Sequence, residues 1–228
     1  MIKHVLLDLD DTILDFHAAE RIALGETFVA VGIEPSEEIM ARYGAINIEG
    51  WQMLERGEID RREVLHRRFR ILFAELGVKL SEELAQSIYE YRLSLSHPFM
   101  EGGRELLDAL RGKYELYIVS NGTAVVQDRR IKDSEIGEYF LGIFISQRVG
   151  FDKPRREFFD HCFAEIEDFD PKAAIIIGDS LTSDIKGGLD AGILTCHFNP
   201  KSKPNNTGIK PHYTVTSLGE IPALLESL

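Results

Sequence analysis

The chain has 228 residues, of which 44% are apolar and 28% charged, a balance typical of a globular protein with a full hydrophobic core. The formal net charge of −12 argues against nonspecific binding to nucleic acid or to an anionic membrane surface. No apolar run approaches membrane-spanning length and no signal peptide is recognisable, so we expect a cytoplasmic protein. Cys162 and Cys196 lack metal-ligand spacing and are expected to be reduced core residues.

The first element, HVLLDL over residues 4–9, is an apolar run without helical spacing and predicts a strand buried on both faces. From about Asp15 to about Ser94 the pattern is helical and indicates about four helices without a strand. Ser36 and Ser81 are predicted helix N-caps in this region. An amphipathic stripe recurs at Leu65, Phe69, Leu72, Phe73 and Leu76.

The rest of the chain alternates strands with helices, which indicates right-handed βαβ units and a parallel sheet covered on both faces. Strands are predicted at 114–120, 141–146, 172–180, 193–198 and 212–216. Helices are predicted at 101–112, 124–132, 155–166 and 183–191. Gly192 is a predicted helix C-cap, and Ser217 to Glu220 form a capping-box pattern that starts the last helix.

The domain organisation follows from the length of the first connection. About a hundred mainly helical residues separate the first two strands, far more than a crossover requires. We therefore predict an α/β fold: a Rossmann-like parallel sheet core over 1–14 and 99–228, with an all-helical cap domain inserted over 15–98. Ligands of open α/β sheets bind beyond the carboxyl ends of the strands, where such a cap would cover them.

Polar residues follow the predicted strands where each strand ends. The first strand runs into DLDDT (8–12), the next into SNGT (120–123) and a later one into GDSLTSD (178–184), while VGFDKP (149–154) supplies Lys153. Each residue alone has an ordinary interpretation as a cap or a solvated group, and for Asp11 and Asp15 we favour it. The joint placement at one edge of one sheet is what indicates a site.

The charges in this set predict a cation. Asp8 and Asp10 are two apart on an extended chain, so they point to the same side and repel by roughly 4 kcal/mol at an effective dielectric near 20. Asp179 and Asp184 add further negative charge. Ligands that are all oxygen suit a hard ion such as Mg²⁺.

The set has one coherent chemical use, which is phosphoryl transfer. A carboxylate can attack phosphorus and form an aspartyl-phosphate. A second acid can protonate the leaving oxygen and then activate water, while Mg²⁺ offsets the repulsion between carboxylate and phosphate. Lysine, a hydroxyl and backbone N–H groups can hold the other phosphate oxygens.

At this point the residues resemble those of a known family. Asp8-Leu9-Asp10-Asp11-Thr12 matches the DxDxT motif of the haloacid dehalogenase superfamily, and the segments around Ser120, Lys153 and Asp179 to Asp184 resemble its other three motifs, in the right order. The resemblance implies that Asp8 is the nucleophile and that Asp10 is the acid/base and ligates Mg²⁺ through its backbone carbonyl. It implies metal contacts from Asp8 and Asp179, support from Asp184 in the second shell of the ion, and phosphate binding by Ser120, Asn121 and Lys153.

A narrower resemblance concerns the segments 47–69, 120–131 and 146–163, which are similar to the bacterial pyrimidine 5′-nucleotidases. It implies a Mg²⁺-dependent phosphatase acting on a small phosphorylated metabolite, a nucleoside 5′-monophosphate. Phe16 and His17 could approach a leaving group. Trp51 and Met53 could stack on a base, although packing within the cap is the favoured interpretation. The basic run Arg61, Arg62, Arg67, Arg68 and Arg70 is interpreted as a solvated helix face.

Three alternatives stay open from the residues. A haloacid dehalogenase would need no acid at Asp10, which counts against it. A phosphosugar phosphatase or mutase would use the same residues. A phospho-acceptor signalling domain also gathers acids, a hydroxyl and a lysine at the mouth of a parallel sheet, but such domains are shorter, lack an inserted cap and carry the acceptor on a middle strand.

Overall fold

The computed structural model describes all 228 residues and has a six-stranded parallel sheet in the order β3-β2-β1-β4-β5-β6. The α/β fold with a parallel sheet, predicted from the alternation of elements, is confirmed. The strands are His4–Leu7 (β1), Glu115–Ser120 (β2), Gly142–Ile145 (β3), Ala174–Gly178 (β4), Leu194–Phe198 (β5) and Tyr213–Val215 (β6).

Ten α-helices accompany the sheet, and four of them follow β1 as the helical pattern predicted. These four are Phe16–Ala30 (α1), Glu37–Glu55 (α2), Arg61–Glu75 (α3) and Glu82–Ser94 (α4). The others are Gly103–Leu110 (α5), Ala124–Asp133 (α6), Ser146–Val149 (α7), Arg156–Glu165 (α8), Lys186–Ala191 (α9) and Ile221–Glu226 (α10). None of them combines the length and the apolar character that crossing a bilayer requires.

The chain divides into two compact units. One comprises Met1–Phe16 and His97–Leu228, which include the sheet, and the other comprises His17–Ser96. The boundaries predicted from the sequence lie two residues from these limits.

The sheet is buried because its two faces are both covered. Successive residues of the central strand β1 alternate between two apolar clusters: Val5 and Leu7 pack in one, and Leu6 in the other. Such strands read as continuous apolar runs, which is why β1 and β4 could be recognised in the sequence. Cys162 and Cys196 are free and buried in these clusters, as predicted. Burial raises the pKa of both thiols to about 12, so neither is a reactive thiolate at neutral pH.

Local sequence signals set several ends of the helices. The hydroxyl of Ser36 accepts a hydrogen bond from the Ile39 amide, and that of Ser81 accepts one from Leu84, so both predicted N-caps are confirmed. Gly192 ends α9 in the left-handed conformation with a φ of 79°, and Ser217 begins the predicted capping box. The capping box opens a short 3₁₀ turn that leads into α10.

The interpretation of the basic run in α3 as a solvated face is wrong for Arg68. This residue lies four positions from both Val64 and Leu72, on the buried side of the helix, and only 3% of it is exposed. Its guanidinium donates to the side-chain oxygens of Asn47 and Gln86, each at 2.9 Å. The cation is buried because neighbouring helices supply acceptors for it.

Trp51 and Met53, both in α2, are half-buried. The Arg61 guanidinium lies 5.5 Å from the centre of the Trp51 ring within the helical unit. This contact is a cation–π arrangement and gives the Trp51 ring a partner inside its own unit.

Candidate active site

The polar residues that follow the strands meet at one edge of the sheet. The register pairs Leu7 of β1 with Ile118 of β2 and Ile177 of β4. Asp8, Ser120 and Asp179 therefore lie one or two residues beyond a common line across the sheet. The Asp8 amide donates to the Ile177 carbonyl at 3.0 Å, which extends the pairing of the strands to the site itself.

Lys153 lies at the centre of this edge and is only 1% exposed. Its ammonium donates to Asp8 Oδ1 at 2.7 Å, to Asp184 Oδ1 at 2.6 Å and to the Val119 carbonyl at 2.7 Å. Three acceptors match the three protons of an ammonium group. Loss of hydration lowers the pKa of Lys153, but the attraction of Asp184 and Asp8 outweighs it, and the pKa lies above its usual value. The side chain is therefore a fixed positive charge.

The carboxylates around Lys153 are crowded. One oxygen each of Asp8, Asp179 and Asp184 lie within 4.8 Å of one another. Burial raises the pKa of Asp8 to about 8, because lost hydration outweighs the attraction of Lys153 and because Asp184 and Asp10 repel the charge. Burial, followed by the charges of Asp8 and Asp184, also raises the pKa of Asp179 well above its usual value. Oxygen ligands that repel one another in this way fit a hard divalent cation.

Asp184 is brought to Lys153 by a glycine and a tight turn. A Cβ atom on Gly178 would lie 2.3 Å from Asp184 Oδ2, so only glycine at the end of β4 leaves room for that carboxylate. The Ser180 amide donates to Asp184 Oδ2 at 3.1 Å, and residues Leu181–Ile185 form a π-helical turn. The helix predicted at 183–191 is therefore α9 preceded by this turn.

Asn121 connects the exit of β2 to the segment that carries Lys153. Its side chain accepts from the Lys153 amide at 2.8 Å and donates to the Lys153 carbonyl at 2.9 Å. Ser120 is buried beside it, and its hydroxyl accepts from the Gly122 amide at 3.1 Å. The phosphate contacts expected of Ser120, Asn121 and Lys153 stay predictions, but the side chain of Asn121 fixes the backbone of Lys153.

The loop after β1 is tightly folded, as expected for a turn. Asp11 has a φ of 57°, in the left-handed region, and its amide donates to the Leu14 carbonyl at 2.7 Å. The buried Thr12 hydroxyl lies 3.4 Å from Asp8 Oδ2. The loop thereby turns the chain away from the site, while Asp8 and Asp10 stay at the edge of the sheet where the strands end.

The sequence analysis missed two residues of the site, Gln127 and Arg130. Both donate hydrogen bonds to the carboxylate of Asp10, whose side chain is 25% exposed. Gln127 Nε2 donates at 2.6 Å, and Arg130 Nη1 donates to the other oxygen. Both donors are on α6, three residues apart, and α6 starts directly after the SNGT segment. Their position on a helix that starts at the edge where the strands end was the signal from which these two residues could have been predicted.

The parallel sheet and this cluster of acids, lysine and hydroxyl have the arrangement expected of the haloacid dehalogenase superfamily. A family model for haloacid dehalogenase-like hydrolases matches residues 2–192, and the chain belongs to this family. The resemblance predicted from the four motifs is confirmed. Membership of a hydrolase family also favours an enzyme over the signalling-domain alternative.

Individual relatives narrow the comparison. The HAD-hydrolase YfnB of Bacillus subtilis is 40% identical over 98% of this chain and 95% of its own length. A crystal structure of YfnB bound to magnesium has a TM-score of 0.94, with 98% of each chain covered. The pyrimidine 5′-nucleotidase PynA of Streptococcus pneumoniae is 34% identical over 96% of this chain and 93% of its own. The pyrimidine 5′-nucleotidase YjjG of Escherichia coli is 30% identical over 97% of this chain and 96% of its own length. The chain is thus related to pyrimidine 5′-nucleotidases, as the narrower resemblance predicted.

Proposed function

We propose that the protein is a Mg²⁺-dependent phosphatase that hydrolyses small phosphomonoesters, in particular nucleoside 5′-monophosphates, through an aspartyl-phosphate on Asp8. One observation carries the proposal: the buried ammonium of Lys153 holds the carboxylates of Asp8 and Asp184 together at the carboxyl edge of the sheet. A lysine in this position leaves Asp8 oriented for attack and supplies positive charge for a phosphoryl group.

The charges of the site support a divalent cation. Four carboxylates, those of Asp8, Asp10, Asp179 and Asp184, are accompanied by the cations of Lys153 and Arg130. When ionised, these six groups carry a formal excess of two negative charges, and Asp11 adds to the negative charge near Asp179, so a divalent cation would offset much of the repulsion. In this proposal the carboxylates of Asp8 and Asp179 and the backbone carbonyl of Asp10 hold the ion, with Asp184 in support. When bound, the ion reduces the repulsion between Asp8 and an anionic phosphate.

The residues would divide the reaction into two steps. In the first, a carboxylate oxygen of Asp8 forms a bond to phosphorus, and the bond from phosphorus to the ester oxygen breaks. Asp10, in its protonated form, gives its proton to that leaving oxygen, so an alcohol departs. In the second, Asp10 takes a proton from a water molecule whose oxygen attacks phosphorus. The bond to Asp8 then breaks, which releases phosphate and restores the Asp8 carboxylate.

The nucleotide part of the proposal is supported by the relatives PynA and YjjG, whose names state that they are pyrimidine 5′-nucleotidases. The test is a phosphate-release screen with Mg²⁺ over nucleoside monophosphates, sugar phosphates and small phosphorylated acids. We expect the highest kcat/KM with pyrimidine deoxynucleoside 5′-monophosphates. A clear preference for sugar phosphates would reject the nucleotide assignment, and phosphate transfer between sugar hydroxyls faster than release to water would indicate a mutase.

The covalent step is tested with Asp8→Asn, which keeps the shape of the side chain but removes the nucleophilic carboxylate. We expect turnover to fall below detection while the far-UV circular dichroism spectrum stays that of the wild type. Asp170→Asn is the matched control, because Asp170 is an exposed helix cap and asparagine caps equally well. A normal rate for purified Asp8→Asn protein would reject the mechanism.

A further inference from the structure

The helix α6 presents two buried polar side chains to the carboxylate of Asp10. Gln127 Nε2 donates to Asp10 Oδ2 at 2.6 Å, and Arg130 Nη1 donates to Asp10 Oδ1. Each oxygen of the Asp10 carboxylate is therefore held by a different side chain. Two bonds to two oxygens fix both the position and the plane of the carboxylate.

The orientation of Gln127 is itself fixed. Its Oε1 accepts from Arg130 Nη1 at 3.0 Å, so its amide nitrogen is the end that faces Asp10. The same nitrogen donates to Ser120 Oγ at 2.9 Å. Gln127 therefore links Asp10 to Ser120, a hydroxyl in the segment proposed to bind phosphate.

The backbone around Gln127 leaves space for this arrangement. A Cβ atom on Gly122 would lie 2.3 Å from Gln127 Nε2 and 2.6 Å from its Cδ. The glycine of the SNGT segment is thus required by the side chain that holds Asp10. Burying a glutamine and an arginine costs hydration and side-chain entropy, and here both are directed at one carboxylate.

We propose that Gln127 and Arg130 are positioning residues for Asp10. They hold its carboxylate so that a proton can pass between Asp10 and the leaving oxygen of the substrate, and Gln127 sets that carboxylate relative to the phosphate-binding hydroxyl of Ser120. This inference rests on the proposed phosphatase function. In this inference, helix α6 positions the proposed acid Asp10, whereas Lys153 positions the proposed nucleophile Asp8.

The test uses three phosphate esters with leaving groups of decreasing acidity: p-nitrophenyl phosphate, phenyl phosphate and benzyl phosphate. Nitrophenolate leaves without protonation, whereas benzyl alcohol needs a proton from the acid. The measured quantity is kcat/KM with saturating Mg²⁺, because it covers the steps up to alcohol release. General acid catalysis contributes roughly 10²- to 10⁴-fold, and a mispositioned acid loses part of that.

Gln127→Met keeps the volume of the side chain and removes its hydrogen bonds. We expect kcat/KM to fall roughly 10- to 100-fold for benzyl phosphate and less than about 3-fold for p-nitrophenyl phosphate. Gly122→Ala leaves Gln127 chemically intact but displaces it, and we expect the same selective loss. In Asp10→Asn protein, adding Gln127→Met should lower kcat/KM for benzyl phosphate no further, since the residues act as one unit.

Gln86→Met is the matched control. Gln86 is also a buried glutamine hydrogen-bonded to a buried arginine, but it lies in the helical unit. We expect it to lower stability and to leave the ratio of benzyl to p-nitrophenyl kcat/KM unchanged.

The outcomes separate this inference from the function on which it rests. If the wild-type protein is active and Asp8→Asn is inactive, but Gln127→Met and Gly122→Ala reduce kcat/KM equally for all three esters, the positioning role is rejected and the phosphatase stands. If the wild-type protein releases phosphate from none of the esters and none of the screened metabolites, the phosphatase and the positioning role are both rejected.

Discussion

Asp8, the proposed nucleophile, should destabilise the fold when ionised, so Asp8→Asn should stabilise the magnesium-free protein. Burial raises the pKa of Asp8 to about 8, against a usual value of 3.8. Because the folded state then binds a proton more readily than the unfolded state, the free energy of unfolding falls as the pH rises between these two values. Below pH 4 the group costs nothing, and above pH 8 the cost is complete.

The size of this effect follows from the same two values. They differ by about 4 pH units, and each unit corresponds to about 1.4 kcal/mol, so the cost of ionised Asp8 approaches roughly 6 kcal/mol at high pH and is about 1.5 kcal/mol at pH 5. Asparagine removes this cost, in which the attraction of Lys153 is already included. Since the neighbouring carboxylates titrate together with Asp8, we expect a gain on the order of 2–3 kcal/mol at pH 8 and less than about 1 kcal/mol at pH 5.

The assay is urea unfolding in EDTA at pH 5 and pH 8, followed by far-UV circular dichroism. Fluorescence would report mainly the helical unit, because Trp51 is the only tryptophan. Asp170→Asn again serves as control, and saturating Mg²⁺ should shrink the difference because the wild type gains more from the ion. Asp8→Asn protein that is less stable than the wild type at pH 8 in EDTA, or a difference independent of pH, would refute the reasoning.

Two further substitutions test the packing. Gly178→Ala should displace Asp184 and lower kcat/KM at least about 10-fold. The control Gly25→Ala, in helix α1 with open space at its Cβ position, should keep activity and add about 0.5–1 kcal/mol to the free energy of unfolding. Equal activities of the two variants would contradict the packing argument. Arg68→Met should lower the free energy of unfolding by about 3 kcal/mol, measured by Trp51 fluorescence in urea. Arg70→Met, which breaks only exposed ion pairs, should lower it by less than about 1 kcal/mol. Similar losses in the two variants would show that burial of Arg68 is unimportant.

The sequence predicted those features that are written in local patterns. Strand β1 contains the apolar run Val5 to Leu7, and Ser36 and Ser81 cap helices through bonds that span three residues. The meeting of Asp8 with Asp179 could also be predicted, because parallel strands bring their carboxyl ends to one edge. In these cases the structure is determined by residues close in sequence or by the parallel arrangement of the strands.

Features that depend on partners from distant elements could not be predicted in this way. Arg68 has the composition of a surface residue, and its burial depends on Asn47 and Gln86, which come from other helices. The π-helical turn Leu181–Ile185 departs from the predicted regular helix where Asp184 reaches Lys153. Periodicity describes which side of an element is apolar, but it does not reveal which buried polar group will find an acceptor.

The two aspartates that follow β1 show how this distant packing bears on chemistry. Asp8 and Asp10 are chemically identical and two residues apart, yet each is paired with a cation from a different part of the chain. Lys153, on the segment before α8, holds Asp8, whereas Arg130 on α6 holds Asp10. Asp8 is buried among other carboxylates, while the side chain of Asp10 stays partly exposed. Different surroundings allow equal groups to take unequal tasks, one as nucleophile and one as acid and base. These different contacts agree with the roles that the family resemblance implies, and exchanging the contacts should disturb those roles even with both aspartates in place.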